Sequence, residues 1–189
     1  MPWENVEIET IADCRVFSVN RNLARRTQDS VHDFYVLHPS NWVNIIAITP
    51  DNQVVLIEQF RHGTQSITLE IPGGTIDLDD PSAMHAAARE LAEETGFVSE
   101  KLVYLGSNHP NPAIQSNICE TFLAKNVRQE FTPRFETTED IIVRLTPLSD
   151  IPKLIKAGVI THGLVIVAFH LLHLYEQEDS TTAVDNAAV

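Results

Sequence analysis

An α/β fold, with a mixed sheet packed between helices, is predicted by three observations. Several short runs rich in β-branched and aromatic residues are bounded by turn residues, which is the pattern of strands. One helical stretch lies in mid-chain, directly after a Pro-Gly-Gly turn. Two more helical stretches close the chain after further strands. The 189 residues suffice for one domain with a sizeable core, or for a core domain plus a small addition.

The elements follow in order. Residues 1–42 read as an N-terminal β extension. Within it Arg15-Val16-Phe17-Ser18-Val19 shows partial alternation and residues 31–37 are β-rich, while the polar, basic stretch 20–30 reads as a turn or hairpin end. His38-Pro39-Ser40-Asn41 is a break. Residues 43–48 and 53–60 flank Thr49-Pro50-Asp51-Asn52, a hairpin signal. Residues 66–71 form a strand ended by Pro72-Gly73-Gly74. Residues 81–95 are helical: Asp79 or Asp80 supplies the cap, Pro81 suits the first turn, and Gly96 suits the C-terminal position. Residues 102–105, 118–124 and 141–145 read as strands. Residues 148–157 read as a helix stopped by Gly158, and residues 161–178 as a helix whose apolar positions occupy more than one face, so that it is expected to be buried. The main domain is expected over residues 43–178 and a disordered tail over residues 179–189.

Composition narrows the class. The chain is 43% hydrophobic and 21% charged, as in soluble globular proteins. No apolar run is long enough to span a bilayer, and the N-terminus has neither the basic start nor the apolar stretch of a secretory signal. Cys14 and Cys119 alone make no disulfide framework, so the cytoplasm is the expected compartment. The formal net charge of −13 disfavours nucleic acid and anionic membrane surfaces as partners. It leaves room for a small phosphorylated substrate, because carboxylates can hold a divalent cation that presents positive charge to phosphates.

The strongest chemical signal is Arg89-Glu90-Leu91-Ala92-Glu93-Glu94. Helical neighbours are three and four residues apart, so Glu90 sits beside Glu93 and Glu94. Arg89 can offset Glu93 at i,i+4, and the remaining pair is placed to coordinate a hard cation through oxygen. Ala83, Ala87 and Leu91 form a separate stripe, small enough for close packing on a sheet. A solvated acidic face is the alternative reading, and the preceding Pro-Gly-Gly turn and following Gly96-Phe97 favour the metal.

These residues resemble the Nudix hydrolases. That family's signature is a Gly, five residues, a Glu, seven residues, then Arg-Glu-apolar-x-Glu-Glu-x-Gly-apolar. The stretch from Arg89 to Phe97 matches its second half throughout. The first half departs: counting on from Gly74 places Asp80 at the Glu position, and eight residues rather than seven separate it from Arg89, as a one-residue insertion would give. The detailed match covers residues 73–97. The resemblance implies a Nudix α/β/α sandwich with an N-terminal β extension, commonly a homodimer, and Mg²⁺ (or Mn²⁺) held by Glu90 and Glu94, by Glu93, and by the backbone carbonyl of Gly73. Glu93 and Glu139 are the implied catalytic groups. Glu139 precedes the strand at residues 141–145 and would assist a hydrolytic water, although an ordinary acidic loop reads the same way.

Leu56-Ile57-Glu58-Gln59-Phe60-Arg61 and Leu69-Glu70-Ile71-Pro72-Gly73-Gly74 resemble the branch acting on ADP-ribose and nucleoside diphosphate sugars. Arg61 would then contact the diphosphate, for which a guanidinium is suited; by its residues alone it is equally a surface arginine at a strand end. Glu70 is either a supporting carboxylate or a strand-edge residue. Trp42 reads as a core or dimer contact, or as a platform for the substrate base. Asn111, held between Pro110 and Pro112, reads as part of a stiff connector or of a substrate loop. The resemblance thus implies hydrolysis of a P–O–P bond to a nucleoside monophosphate and a sugar phosphate. A catalytically silent nucleotide-binding module on the same scaffold is the alternative.

Overall fold

The computed structural model describes residues 3–27, 30–133 and 140–186. They fall into two compact units, one within residues 1–41 and 108–118, the other within residues 42–107 and 119–189.

The first unit is an antiparallel meander of β1 (Glu4–Asp13), β2 (Phe17–Thr27) and β3 (Ser30–Pro39), in that spatial order. Three strands thus replace the two stretches expected, and most of the presumed turn at residues 20–30 is β2. The reason is pairing across the ladder. β2 is the central strand, laddered to β1 on one side and β3 on the other, and its arginines pair across the ladder, Arg21 Nε donating to Asp33 at 2.9 Å and Arg25 Nε to Glu4 at 3.0 Å. Residues 108–118 are stitched to β3. The Leu37 N–H donates to the Ile114 carbonyl at 2.8 Å, and the Asn117 amide donates to the Ser40 carbonyl at 3.1 Å.

The second unit is built on a seven-stranded mixed sheet. Its strands are β4 (Trp42–Ile48), β5 (Gln53–Arg61), β6 (Ser66–Glu70), β7 (Gly73–Thr75), β9 (Leu102–Asn108), β10 (Cys119–Lys125) and β12 (Ile141–Pro147); a short ribbon pairs β8 (Phe97–Val98) with β11 (Arg128–Gln129). The order is β12-β5-β4-β10-β9, with β6 added beside β5 and β7 beside β4. β4 runs parallel to β10 and antiparallel to β5 and β7.

Helices cover both faces. α1 spans Ala83–Thr95; a single 3₁₀ turn, Leu148–Asp150, leads into α2 (Ile151–Lys156); α3 spans Gly163–Asn186. Alternation along the strands assigns the layers. Val43, Ile45, Ala47 and Val55 meet Ala86, Ala87 and Leu91 of α1. Ile46, Ile48, Val54 and Leu56 meet Ile151 of α2 and Val165, Ala168, Phe169 and Leu172 of α3. The central strands are therefore apolar on both faces, as a buried sheet requires, and the layering is α/β/α. The stripe behaves as expected, with Ala87 and Leu91 buried and Ala83 partly so.

Two boundaries move. Ser82, not Asp79 or Asp80, caps α1, its side chain accepting from the His85 N–H; Asp80 is engaged elsewhere, as described below. α3 runs on over residues 179–186, where a tail was expected, because no Gly or Pro follows Gly163 to stop it; residues 187–189 lie outside the described residues. Among the described residues no helix is long and apolar enough to cross a membrane.

Candidate active site

The site begins at the Pro-Gly-Gly turn. The Pro72 carbonyl accepts from the Ile45 N–H at 2.9 Å, and Gly73, Gly74 and Thr75 pair as β7 with Asn44, Val43 and Trp42 of β4. The turn is thereby fixed to the middle of the sheet. Both glycines sit at points of close approach. A Cβ at Gly73 would fall on the Val43 carbonyl oxygen, and one at Gly74 on the carboxylate of Glu90.

α1 lies against this turn and presents its carboxylates to it. Glu94 is 4% exposed, and its Oε2 accepts from the Gly73 N–H at 2.9 Å. Glu90 and Glu93 both accept from Arg89 Nη1, at 2.9 and 3.0 Å. The expected i,i+4 pair is thus present, but Arg89 also holds Glu90. Its other edge donates to both oxygens of Asp80, at 2.9 and 3.2 Å, and to the Thr75 carbonyl at 3.0 Å. The Asp77 N–H donates to Asp80 as well, at 2.9 Å. Arg89 therefore ties the acidic helix to the loop before it, and the carboxylate at the displaced signature position serves as that loop's anchor. The Arg89 hydrogen bonds hold the Asp80 carboxyl below its usual range, and the surrounding carboxylates raise the Arg89 guanidinium in turn.

A cleft of about 630 Å³ opens over these groups, lined by Gln59, Arg61, Asp77, Glu90, Glu93 and Glu94 with the Gly73–Thr75 strand. Phe131 and Thr132 also line it. Among the described residues no three His, Cys, Asp or Glu side chains converge into a ready cation cage. The donor chemistry nonetheless suits a hard divalent cation: the groups are carboxylate oxygens, and the missing Cβ of Gly74 lets backbone and the Glu90 carboxylate share one small space.

Arg61 ends β5 on the same cleft. Its Nε and Nη2 clamp Glu70 in bidentate fashion at 2.8 and 2.7 Å. Glu70 is 3% exposed. Burial pushes its carboxyl upward, but hydrogen bonds from Arg61 and Thr68 outweigh that and lower it. A residue not singled out from the chain joins here: His162, just before α3, has Nε2 3.8 Å from Glu70 Oε2. No spacing could have linked them, since 92 positions (162 minus 70) separate them in the chain. Trp42 lines a second cavity beside Arg61, Glu70 and His162. Asn111 belongs to the first unit, where its carbonyl accepts from the Ile114 and Gln115 N–H groups in a turn. Glu139 lies outside the described residues. The buried Cys119 thiol is pushed up to about 12 by desolvation, so it is no nucleophile at neutral pH.

A glycine turn in mid-sheet, facing an arginine-tied carboxylate helix inside an α/β/α sandwich, defines a class. The chain belongs to the NUDIX domain family, whose model matches residues 39–166, and it is a hydrolase of that family. It is 32% identical to the methanol dehydrogenase activator of Bacillus methanolicus over 75% of this chain and 76% of that one. It is 28% identical to the ADP-ribose pyrophosphatase of Bacillus subtilis (strain 168), again over 75% and 76%. A crystal structure of an ADP compounds hydrolase shares the fold, with a TM-score of 0.83 at 24% identity, covering 95% of this chain and 96% of that one.

Proposed function

We propose that this Nudix hydrolase cleaves the pyrophosphate bond of a nucleoside diphosphate derivative, ADP-ribose or a nucleoside diphosphate sugar, releasing a nucleoside monophosphate and a sugar phosphate. The observation that carries the reading is the meeting of Glu90, Glu93 and Glu94 with the Gly73–Thr75 strand on one wall of a single cleft. The names of the relatives and of the structural neighbour support the substrate class.

Glu90, Glu94, Glu93 and the Gly73 carbonyl would hold Mg²⁺, or Mn²⁺ in its place. When bound, such a cation neutralises the diphosphate and lowers the pKa of a water. The remaining work falls to the chain. Arg89 offsets the mutual repulsion of Glu90 and Glu93. The Gly73 N–H fixes the rotamer of Glu94. Arg61, pre-oriented by Glu70, offers a guanidinium to the diphosphate. Trp42 supplies an aromatic surface beside it. Glu93 and Glu139 are the groups assigned to proton handling at the attacking water. We place the enzyme in the cytoplasm as a homodimer that pairs through residues 1–42, with residues 43–178 as the hydrolase domain.

The decisive test is Glu94→Gln, which keeps volume and removes charge. Turnover is expected to fall by at least about a hundredfold with an unchanged circular dichroism spectrum; a variant retaining near-normal turnover would sink the assignment. A product assay over ADP-ribose and GDP-mannose sets the substrate. Tight nucleotide binding without Mg²⁺-dependent hydrolysis of either would support a silent binding module instead.

A further inference from the structure

The Pro-Gly-Gly turn pairs with the Trp42 end of β4, and Lys125 of β10 stands beside the Ile48 end. At that far end lies a cavity of about 590 Å³ that shares no lining residue with the carboxylate cleft. It is walled by the turn from β8 into β9, with Lys101, by the end of β10 and the start of β11, with Lys125 and Arg128, and by Tyr175 of α3. The walls are tied together. Ser99 Oγ donates to the Lys101 carbonyl at 2.9 Å and to the Lys125 carbonyl at 3.4 Å, Val98 pairs with Arg128 across the short ribbon, and Lys125 Nζ lies 5.8 Å from the centre of the Tyr175 ring. The three cations differ from the other basic residues of the fold. Arg21, Arg25, Arg61, Arg89, Arg144 and Lys153 each hold a carboxylate. Among the described residues Lys101, Lys125 and Arg128 hold none, although Glu100 and Glu130 line the same cavity. All three are exposed, so a ligand can reach them.

We propose that this cavity binds a small phosphorylated anion, held by Lys101, Lys125 and Arg128 and separate from the substrate cleft. Three like charges on tied segments repel one another, and a multiply charged anion between them reverses that repulsion. Phosphate suits the set: the Arg128 fork can take two of its oxygens, and each lysine supplies a point charge to another. A singly charged anion would gain little against Glu100 and Glu130. The ligand is a small molecule. A chain of net charge −13 repels nucleic acid and anionic bilayers, whereas carboxylates more than about 8 Å away are screened from a small ion at physiological salt. The volume is that of a metabolite site. Here the side chains themselves carry the positive charge, so binding needs no divalent cation. That separates this site from the carboxylate cleft and makes the inference independent of the hydrolytic reading.

The test is calorimetric titration of the full chain, freed of divalent cations, with inorganic pyrophosphate. The wild type is expected to bind it. The double variant Lys101→Gln, Arg128→Gln changes two exposed side chains, and an unchanged thermal melt checks that it folds. It is expected to bind at least about tenfold more weakly, as for the loss of two charge-assisted contacts. Lys153→Gln with Lys156→Gln makes the same change in net charge on α2, outside the cavity, and is expected to bind as the wild type does. No heat of binding from the wild type at pyrophosphate concentrations up to about 10 mM overturns the proposal. So does equal binding by the Lys101, Arg128 variant, which would put the anion elsewhere. Equal weakening in both double variants overturns it too, since overall charge and not this cavity would then set the affinity.

Discussion

Two side chains organise the chemistry of the cleft residue by residue. Arg89 contacts Asp80, Glu90, Glu93 and the Thr75 carbonyl, so its loss leaves three carboxylates to repel one another and a loop without its anchor. Arg89→Met is expected to cost about 2 kcal/mol of stability by urea denaturation, since breaking a half-buried network strands its partners. Arg89→Lys should recover only part of that, because one ammonium cannot span acceptors on both sides of a planar fork; full recovery would mean that charge alone, not the fork, holds the loop. Glu70 gives a pH-dependent case. Its carboxyl titrates lower in the folded chain than its ordinary 4.5. As pH falls the unfolded chain therefore takes up that proton first. The stabilisation from Glu70 is complete above 4.5 and is lost as pH drops through the lower, folded value. The stability gap between wild type and Glu70→Gln should thus shrink on acidification from pH 7 to pH 4; a constant gap would show that Arg61 does not act through the ionised form.

At the level of the elements, the strand–turn–helix unit from β6 through α1 builds the site, and its tolerances are unequal. A Cβ on Gly74 meets the tip of the Glu90 side chain, whereas one on Gly73 meets the Val43 backbone. Gly74→Ala is therefore expected to fold, with activity reduced about tenfold or more as Glu90 is displaced, while Gly73→Ala should lose about 3 kcal/mol because a central strand must move. Thermal melts together with turnover separate the two outcomes, and equal behaviour would refute the distinction. The start of α1 is set by Ser82, and Ser82→Ala should cost about 1 kcal/mol. Asp80→Ala would act instead through the Arg89 network. The N-terminal meander is also an element-scale result: much of β2 is polar and basic, and its backbone ladders to β1 and β3 on both sides keep it extended.

For the whole molecule, a net charge of −13 and a cleft lined by carboxylates make metal dependence the expected behaviour. Removal of divalent cations with a chelator should abolish hydrolysis and Mg²⁺ should restore it, while activity persisting in the chelator would refute the proposed cation site. The first unit exposes Trp3, Ile8 and Phe34 on its sheet, with the Trp3 and Phe34 rings 5.0 Å apart. Exposed apolar surface of this kind suits the proposed homodimer. Sedimentation should give twice the mass of one chain, and a monomer at micromolar concentration would exclude that role.

The chain alone determined what periodicity and local chemistry can carry. The β4–β5 hairpin, the small-residue stripe of α1, the Gly96 stop and the adjacency of Glu90, Glu93 and Glu94 are all set by residues within a few positions of one another, so they were legible in order. So was the family, because the half of its motif that matches throughout is one contiguous run along α1 and its C-cap. Tertiary structure alone decided the rest. That Arg89 grips Asp80 and Glu90 together, that Glu94 is fastened by the Gly73 N–H, and that His162 arrives beside Glu70 all depend on where the sheet places distant segments. Pairing with a strand on either side likewise made a strand of residues that read as a turn. The carboxylate helix was thus written locally, whereas the partners that orient it, and the second cavity beside it, exist only once β4, β7 and the start of α3 are brought together.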